Sequence, residues 1–344
     1  MKINRFTTLL TLSAVLSGCA SQNGLRYVDP EIGGVSVLLQ PTRPTVQIPN
    51  QMIRWTPARA DLLDECISSY PLTLTSHRQQ YVFGLLPLAP GVDAGSWWRY
   101  RQICENETNT PYSYDARLEG CRISFSPAQK SGIIEISYDD AESGMIRLST
   151  LNRKGAYTVE NDTCITGEEA FNGIKAYTHI EFDSPVKLLD KKADNQAIVL
   201  ATSAGTVNIR YGISYISKEQ AKANLDHEMS GFALDKVRND ARKSWEKTIG
   251  LIEAEGGTER NLRLFYTSLY RCFERMVDIT EDGRYFGFDG KVHATERPHY
   301  VDDWTWDTWR AAHPLMTILQ PKEEGDKLQS YVRMCEQNAE HWMP

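Results

Sequence analysis

A chain of 344 residues that is 41% hydrophobic, 24% charged and 10% aromatic is long enough for two domains and too apolar for disorder. Its formal net charge of −7 argues against nucleic acid as the main partner, because a phosphate backbone requires a basic surface.

Residues 1–19 read as a leader. "MKINRF" supplies two positive charges, "TTLLTLSAVLSG" is a short run of apolar and small residues, and Cys19 follows. That run is too short and too weakly apolar to span a bilayer, and no later run is long enough either. "LSGC", ending at Cys19, resembles a bacterial lipoprotein processing site, which implies cleavage before Cys19 and acylation of its sulfur. A plain secreted protein with a chance cysteine is the alternative. The expectation is an exported lipoprotein of the periplasm, outer membrane or cell surface, tethered to the membrane by lipid.

Residues 27–228 read as a β-sandwich. Short segments rich in β-branched and aromatic residues recur: "GVSVLLQ" (34–40), "YVFGLLPL" (81–88), "RISFSP" (122–127), "GIIEISY" (132–138), "GIKAYTHIEF" (173–182), "AIVLAT" (197–202) and "TVNIRYGISYI" (206–216). Turn chemistry such as "PAQKSG" and "DDAESG" separates them, which is the pattern of an all-β sandwich or barrel. Cys104 and Cys121 flank a hairpin and form the best candidate disulfide; buried free thiols are the alternative. With no CxxC pair, zinc and thioredoxin-like chemistry have no support.

The pattern then turns helical. Ser217 followed by Gln220 resembles a capping box, and Val237, Ala241, Trp245 and Ile249 form a stripe that Gly256 and Gly257 are expected to stop. Residues 229–257 thus read as a helical linker and 258–344 as the opening of an α domain. There, "RNLRLFYTSLYRCFERM" (260–276) places Leu264, Leu269 and Phe273 near one face. A polar loop with two DG turns follows. Leu328, Val332 and Cys335 supply the expected apolar face of a last helix.

The densest chemistry lies in "DDWTWDTWRAAHPL" (302–315). Placed on one helix from Asp303 to Ala312, the residues Asp303, Trp306, Asp307, Arg310 and His313 share about a third of the circumference. Pro314 is expected to end that helix at His313. Carboxylates and a guanidinium can bind pairs of hydroxyls, and an indole face can pack on the C–H face of a pyranose. The competing explanation is an Asp307–Arg310 ion pair on a helix with tryptophan as core filler. "HRQQ" (77–80) reads as structural or solvated, and "GSWWRY" (95–100) as either a sugar platform or core and edge. "GGVSVLL" is no phosphate loop, and HExxH and GxSxG are absent.

"YVDPEIGG", "VNIRYGISYISKEQAKANLDHEM", "ARKSWEKTIGLIEAEGGTERNLRLFYTSLYRCF", "DGRYFGFDGKVH" and "WDTWRAAHPLMTILQP" occur in an order that resembles glycoside hydrolase family 92. The resemblance implies an N-terminal β-sandwich (supersandwich), a helical linker and an (α/α)6 barrel, of which this chain would hold only the first helices. It implies an exo-acting α-mannosidase, of the α-1,2 type, that releases mannose from mannose-containing glycans by an inverting, calcium-assisted mechanism. Trp306, Asp307 and Arg310 carry over as sugar-site residues, with His77 in a second position. No residue matches the family's acid, base or calcium ligands, so the chain alone is expected to be inactive. A non-catalytic carbohydrate-binding surface lipoprotein on the same fold is the alternative.

Overall fold

The computed structural model describes residues 24–76, 80–93, 95–140 and 144–338. The expected leader, Cys19 and His77 lie outside these residues. Two antiparallel sheets make up most of the chain up to Ser214. One has five strands in the order Lys187–Lys192, Ala197–Thr202, Gly144–Ser149, Gln80–Leu88 and Tyr70–Ser76. The other has nine, running from Gly155–Asn161 at one edge through Thr206–Ser214 and Ser131–Tyr138 to Cys66–Ile67 at the other.

The sheets face each other across one core. Leu85, Leu148 and Leu200 of the smaller sheet pack with Ile123, Ile136 and Ile209 of the larger. Alternation along each strand sends these residues inward; in the larger sheet polar residues such as Arg122, Ser124, Glu135, Asn208 and Arg210 fill the intervening positions, whereas the smaller sheet also puts Leu86 and Val199 there. Hydrogen bonds cross between the sheets, among them Tyr211 Oη donating to the Leu72 carbonyl at 2.7 Å and the Phe83 amide donating to Glu169 at 2.7 Å. Trp55 stacks between Phe125 and Tyr70, with ring centroids 4.3 and 4.7 Å away.

Helices follow the sandwich. Helix α1 spans Lys218–Glu228, and Ser217 caps it by accepting from the Gln220 amide at 3.1 Å. The Gln220 side chain reaches Asn224 and Asp282 instead of closing the box. Helix α2 (Leu234–Ile249) buries Ala241, Trp245 and Ile249 from the expected stripe. It ends at Gly250, earlier than Gly256 and Gly257, which adopt left-handed backbone before helix α3 (Glu259–Cys272). Trp245 fastens α2 to the sandwich by donating to the carbonyls of Gln47 (2.6 Å) and Pro111 (3.1 Å).

Several expectations need correction. "GVSVLLQ" is not a strand: Val37 and Leu38 are almost fully exposed. The Leu39 amide turns to Ser36 Oγ at 3.0 Å, a local bond that competes with sheet pairing. Cys104 and Cys121 are not bridged, and all six cysteines among the described residues are free. Burial pushes the two thiols up to about 11 and about 12. On α3, Leu264 is exposed, and the inward face is Tyr266, Leu269 and Tyr270. The DG turns organise short strands, Arg284–Phe286 pairing with Val292–Ala294.

The segment 302–313 is not one helix. Helix α4 is a single turn, Thr305–Thr308, and helix α5 restarts at Ala312–Leu319. Asp302, left-handed (φ 64°) and paired with Arg54, sets the turn before this segment; Trp304 is still extended (φ −124°, ψ 89°) and Ala311 leaves helical backbone (φ −135°), so the helix starts late and breaks before His313. Pro314 does not end a helix. It sits in the first turn of α5, where the missing N–H costs nothing. The last helix, α6 (Pro321–Gln337), turns Glu324, Lys327 and Ser330 inward and leaves Leu328 and Val332 half exposed, the reverse of the expected face. Among the described residues no helix is long and apolar enough to cross a membrane.

Candidate functional site

A cleft of about 930 Å³ opens where the sandwich meets the end of α3 and the turn of α4. Its walls include Arg43, Arg54 and Leu74 from the sandwich, Arg271, Glu274 and Arg275 from the end of α3, and Trp306 and Asp307 from α4. The exposed loop at Leu38 and Leu39 borders it. Trp306 is 84% exposed, so its indole faces are open to a ligand. The Asp307 carboxylate makes no hydrogen bond or ion pair with the described residues.

The arginines have different tasks. Arg54 pairs with Asp302 and donates to the Leu74 carbonyl at 3.1 Å, which ties α4's approach to the sandwich. Arg271 holds Glu274 at 2.9 Å and donates to the carbonyls of Arg43 (2.8 Å) and Pro30 (2.6 Å). It thereby clamps the N-terminal segment against α3. Glu274 also accepts from Tyr270 at 3.0 Å, so it is already engaged. Arg43 is buried, and burial lowers the pKa of its guanidinium.

Behind the cleft lies a buried ionic group. His313 bonds Asp303 through Nε2 at 3.0 Å and Glu324 through Nδ1 at 2.6 Å. Tyr331 Oη and Thr308 Oγ1 also donate to Asp303, the latter at 2.8 Å. Hydrogen bonds to Asp303 and then Glu324 raise His313 to about 9, so it is an imidazolium at neutral pH. Burial pushes Asp303 upward, but bonds from His313, Tyr331 and Thr308 outweigh it and hold the acid at about 2. Together these groups join α4, α5 and α6 and fix the turn that presents Trp306 and Asp307.

The expected sugar-site residues therefore separate. Trp306 and Asp307 share the cleft. Arg310 is not on its wall; its guanidinium lies over the Trp309 ring, 5.5 Å from the centroid. Asp303 and His313 are support for the turn, not part of a ligand face. The expected alternative, an Asp307–Arg310 ion pair, is absent among the described residues. Sequence reasoning missed Arg54, Arg271 and Glu274: Arg54 and Arg271 reach Asp302, Arg43 and Pro30, which are remote in sequence, whereas the i,i+3 spacing of Arg271 and Glu274 was a local signal that went unread.

Calcium needs six to eight oxygen ligands, several of them carboxylates. Among the described residues no group of three or more His, Cys, Asp or Glu is placed to hold a metal ion. The cleft wall sets four arginines against two carboxylates. The described residues do not by themselves fit calcium, and no step is routed through it.

Comparison with known proteins agrees with this architecture. Residues 27–225 match the glycosyl hydrolase family 92 N-terminal domain, and residues 220–344 match the family's catalytic domain. An inverting family 92 mannosidase of Bacteroides thetaiotaomicron superimposes with a TM-score of 0.83 at 25% identity, covering 92% of this chain and 49% of that one. A family 92 α-mannosidase of the same organism gives a TM-score of 0.81 at 20% identity over 94% of this chain and 51% of its own, a likeness of fold. An uncharacterized secreted glycosidase of Arthroderma benhamiae is 33% identical over 78 residues, which is 22% of this chain and 10% of that protein. The chain thus spans about half the length of the solved relatives. By these matches across both domains, the chain belongs to glycosyl hydrolase family 92.

Proposed function

We propose that the cleft at Trp306 and Asp307 holds the terminal mannose of a glycan for an exo-acting α-mannosidase. The observation that carries this is the open indole of Trp306 beside a carboxylate that no described residue occupies. An indole packs on the C–H face of a pyranose, and a free carboxylate accepts from two adjacent hydroxyls. The mannosidase names of the solved relatives support mannose as the sugar. An inverting mechanism, the α-1,2 linkage and calcium assistance belong to the same proposal, with the metal's ligands drawn from residues other than those described. Arg310 and His77 are kept as sugar contacts within this proposal, Arg310 requiring a shift from its place over Trp309. Export and lipid attachment at Cys19 complete it, and labelling with a radioactive fatty acid that is lost in Cys19→Ser is the corresponding check.

One observation favours a second reading, a protein that binds carbohydrate without cleaving it. Inverting hydrolysis uses two carboxyl groups about 6.5–9.5 Å apart, and Glu274 is held by Arg271. Among the described cleft residues only Asp307 is left. Mannose release from α-mannosides, measured with and without a chelator on a protein that carries the complete family 92 barrel, separates the two. Chelator-sensitive release supports the mannosidase; saturable binding without release supports the binding protein.

A further inference from the structure

A second cleft, of about 640 Å³, shares no wall residue with the first. It lies on the outer face of the five-stranded sheet. Arg147 and Ser149 alternate along their strand with the core residues Ile146 and Leu148, so they point away from the core. The segment from Trp98 to Arg101 forms one wall and the turn around Lys192 to Gln196 another. Trp97 pins the two walls together, donating from Nε1 to Asp190 at 2.9 Å.

The charge of this cleft opposes that of the chain. Arg99, Arg101, Arg147, Arg153 and Lys192 line it, and among the described residues no Asp or Glu does. Arg101 alone of these is paired with a carboxylate, Asp64 at 2.7 Å, among the described residues. Arg147 is only 4% exposed, yet its partners are neutral: the carbonyls of Trp97 (3.0 Å), Tyr100 (2.9 Å) and Ser68. A buried charge without a counter-charge is costly unless something neutralises it. Arg147 Nε, Ser69 Oγ and Thr150 Oγ1, three buried atoms of the wall residues, have no hydrogen-bond partner among the described residues. Trp98 is 38% exposed and carries the Arg99 guanidinium 4.0 Å from its ring centroid.

We propose that this cleft binds an anionic carbohydrate, a sugar unit carrying a phosphate, sulfate or carboxylate group. Guanidinium groups meet such anions in paired, charge-assisted hydrogen bonds. Trp98 and Tyr100 supply the apolar surface a pyranose ring needs, and the volume is that of a small-ligand pocket. A membrane surface would fit a flat or convex basic patch better than a cleft. A nucleic-acid strand would need a longer basic track than this one. The proposal does not depend on the reading of the Trp306 cleft.

The test is titration of the whole chain, and of Asp307→Asn, with mannose 6-phosphate, mannose 6-sulfate, mannuronate, neutral mannose and inorganic phosphate. Phosphatidylglycerol vesicles and a short oligothymidylate are the controls for other anions. At least one charged sugar is expected to bind about tenfold tighter than neutral mannose, to weaken as salt is added, and to bind Asp307→Asn unchanged. Which of the three binds identifies the anion. The double variant Arg99→Ser/Arg153→Ser alters two exposed side chains and is expected to weaken that binding at least about tenfold, with an unchanged melting temperature. Three results would each overturn the proposal: charged sugars binding no better than neutral mannose, inorganic phosphate binding as tightly as the best of the charged sugars, or a response only to vesicles or oligothymidylate. Loss of neutral mannose binding in Asp307→Asn bears on the first cleft alone.

Discussion

His313 Nε2 lies 3.0 Å from Asp303 Oδ2, joining the first turn of α5 to the stretch that leads into α4. The other imidazole nitrogen meets Glu324 of α6, and Tyr331 closes the group over Asp303. Because both carboxylates raise His313, its contribution to stability is full below the ordinary imidazole value of 6.5 and is lost as pH rises through about 9. Asp303 is depressed, so its contribution is full above 3.8 and is lost as pH falls through about 2. The alkaline loss amounts to roughly 3 kcal/mol, one interaction shared by the partners and not counted for each. Urea unfolding from pH 6 to 10 should show this decline in the wild type, and a much flatter profile in His313→Gln. Parallel profiles would mean that the group is not ionic as drawn.

Trp245 is fully buried and its indole N–H serves two carbonyls of the sandwich. Trp245→Ala should cost about 3–5 kcal/mol through the cavity alone. Trp245→Phe keeps most of the packing but leaves the Gln47 and Pro111 carbonyls without their donor, and should cost less, roughly 1–3 kcal/mol. Chemical denaturation of the three proteins measures both values. Equal losses in the two variants would show that the hydrogen bonds, not the packing, dominate.

Ser217 caps α1, and α1 lies against the nine-stranded sheet. Ser217→Ala should lower stability by about 1 kcal/mol, and Ser217→Asp should restore most of it, because aspartate accepts from the same amide. No difference between the alanine and aspartate variants would remove the cap as a contributor.

Cys104 and Cys121 are buried thiols whose ionisation is suppressed by burial. In the native protein both should resist a thiolate-seeking reagent such as iodoacetamide, and both should react once the chain is unfolded. Mass spectrometry after labelling under denaturing, non-reducing conditions reads the outcome. A linked peptide containing both cysteines would contradict the free-thiol state.

The strands were legible because alternation and turn residues act locally. Strands such as Ser131–Tyr138 and Ile174–Phe182 fall where the pattern places them. What was not legible depended on distant partners. Nothing near Asp302 announces that Arg54 holds it in a left-handed turn, nor that His313 meets Glu324 of α6 beyond a break at Ala311 that interrupts the long helix the periodicity suggests. The inward face of α6 is hidden for a similar reason. Lys327 lies over the Tyr300 ring, Ser330 accepts from the Tyr300 amide, and Glu324 meets His313, so polar residues turn inward where apolarity points to Leu328 and Val332. Of the candidate site, Trp306 and Asp307 were found from their own segment. The arginines around them were not, since Arg54 and Arg271 act through residues far away in sequence.

The central claim is that Trp306 and Asp307 hold a mannose unit. Calorimetric titration of the chain with α-methyl mannoside, alongside Trp306→Ala and Asp307→Asn, tests it most directly. Both side chains are exposed and neither substitution should change the melting temperature. The account predicts saturable binding by the wild type and a loss of at least about tenfold in each variant, as expected for a removed stacking surface or a charge-assisted hydrogen bond. Wild-type affinity retained in both variants, or no binding by the wild type with or without calcium, would contradict it.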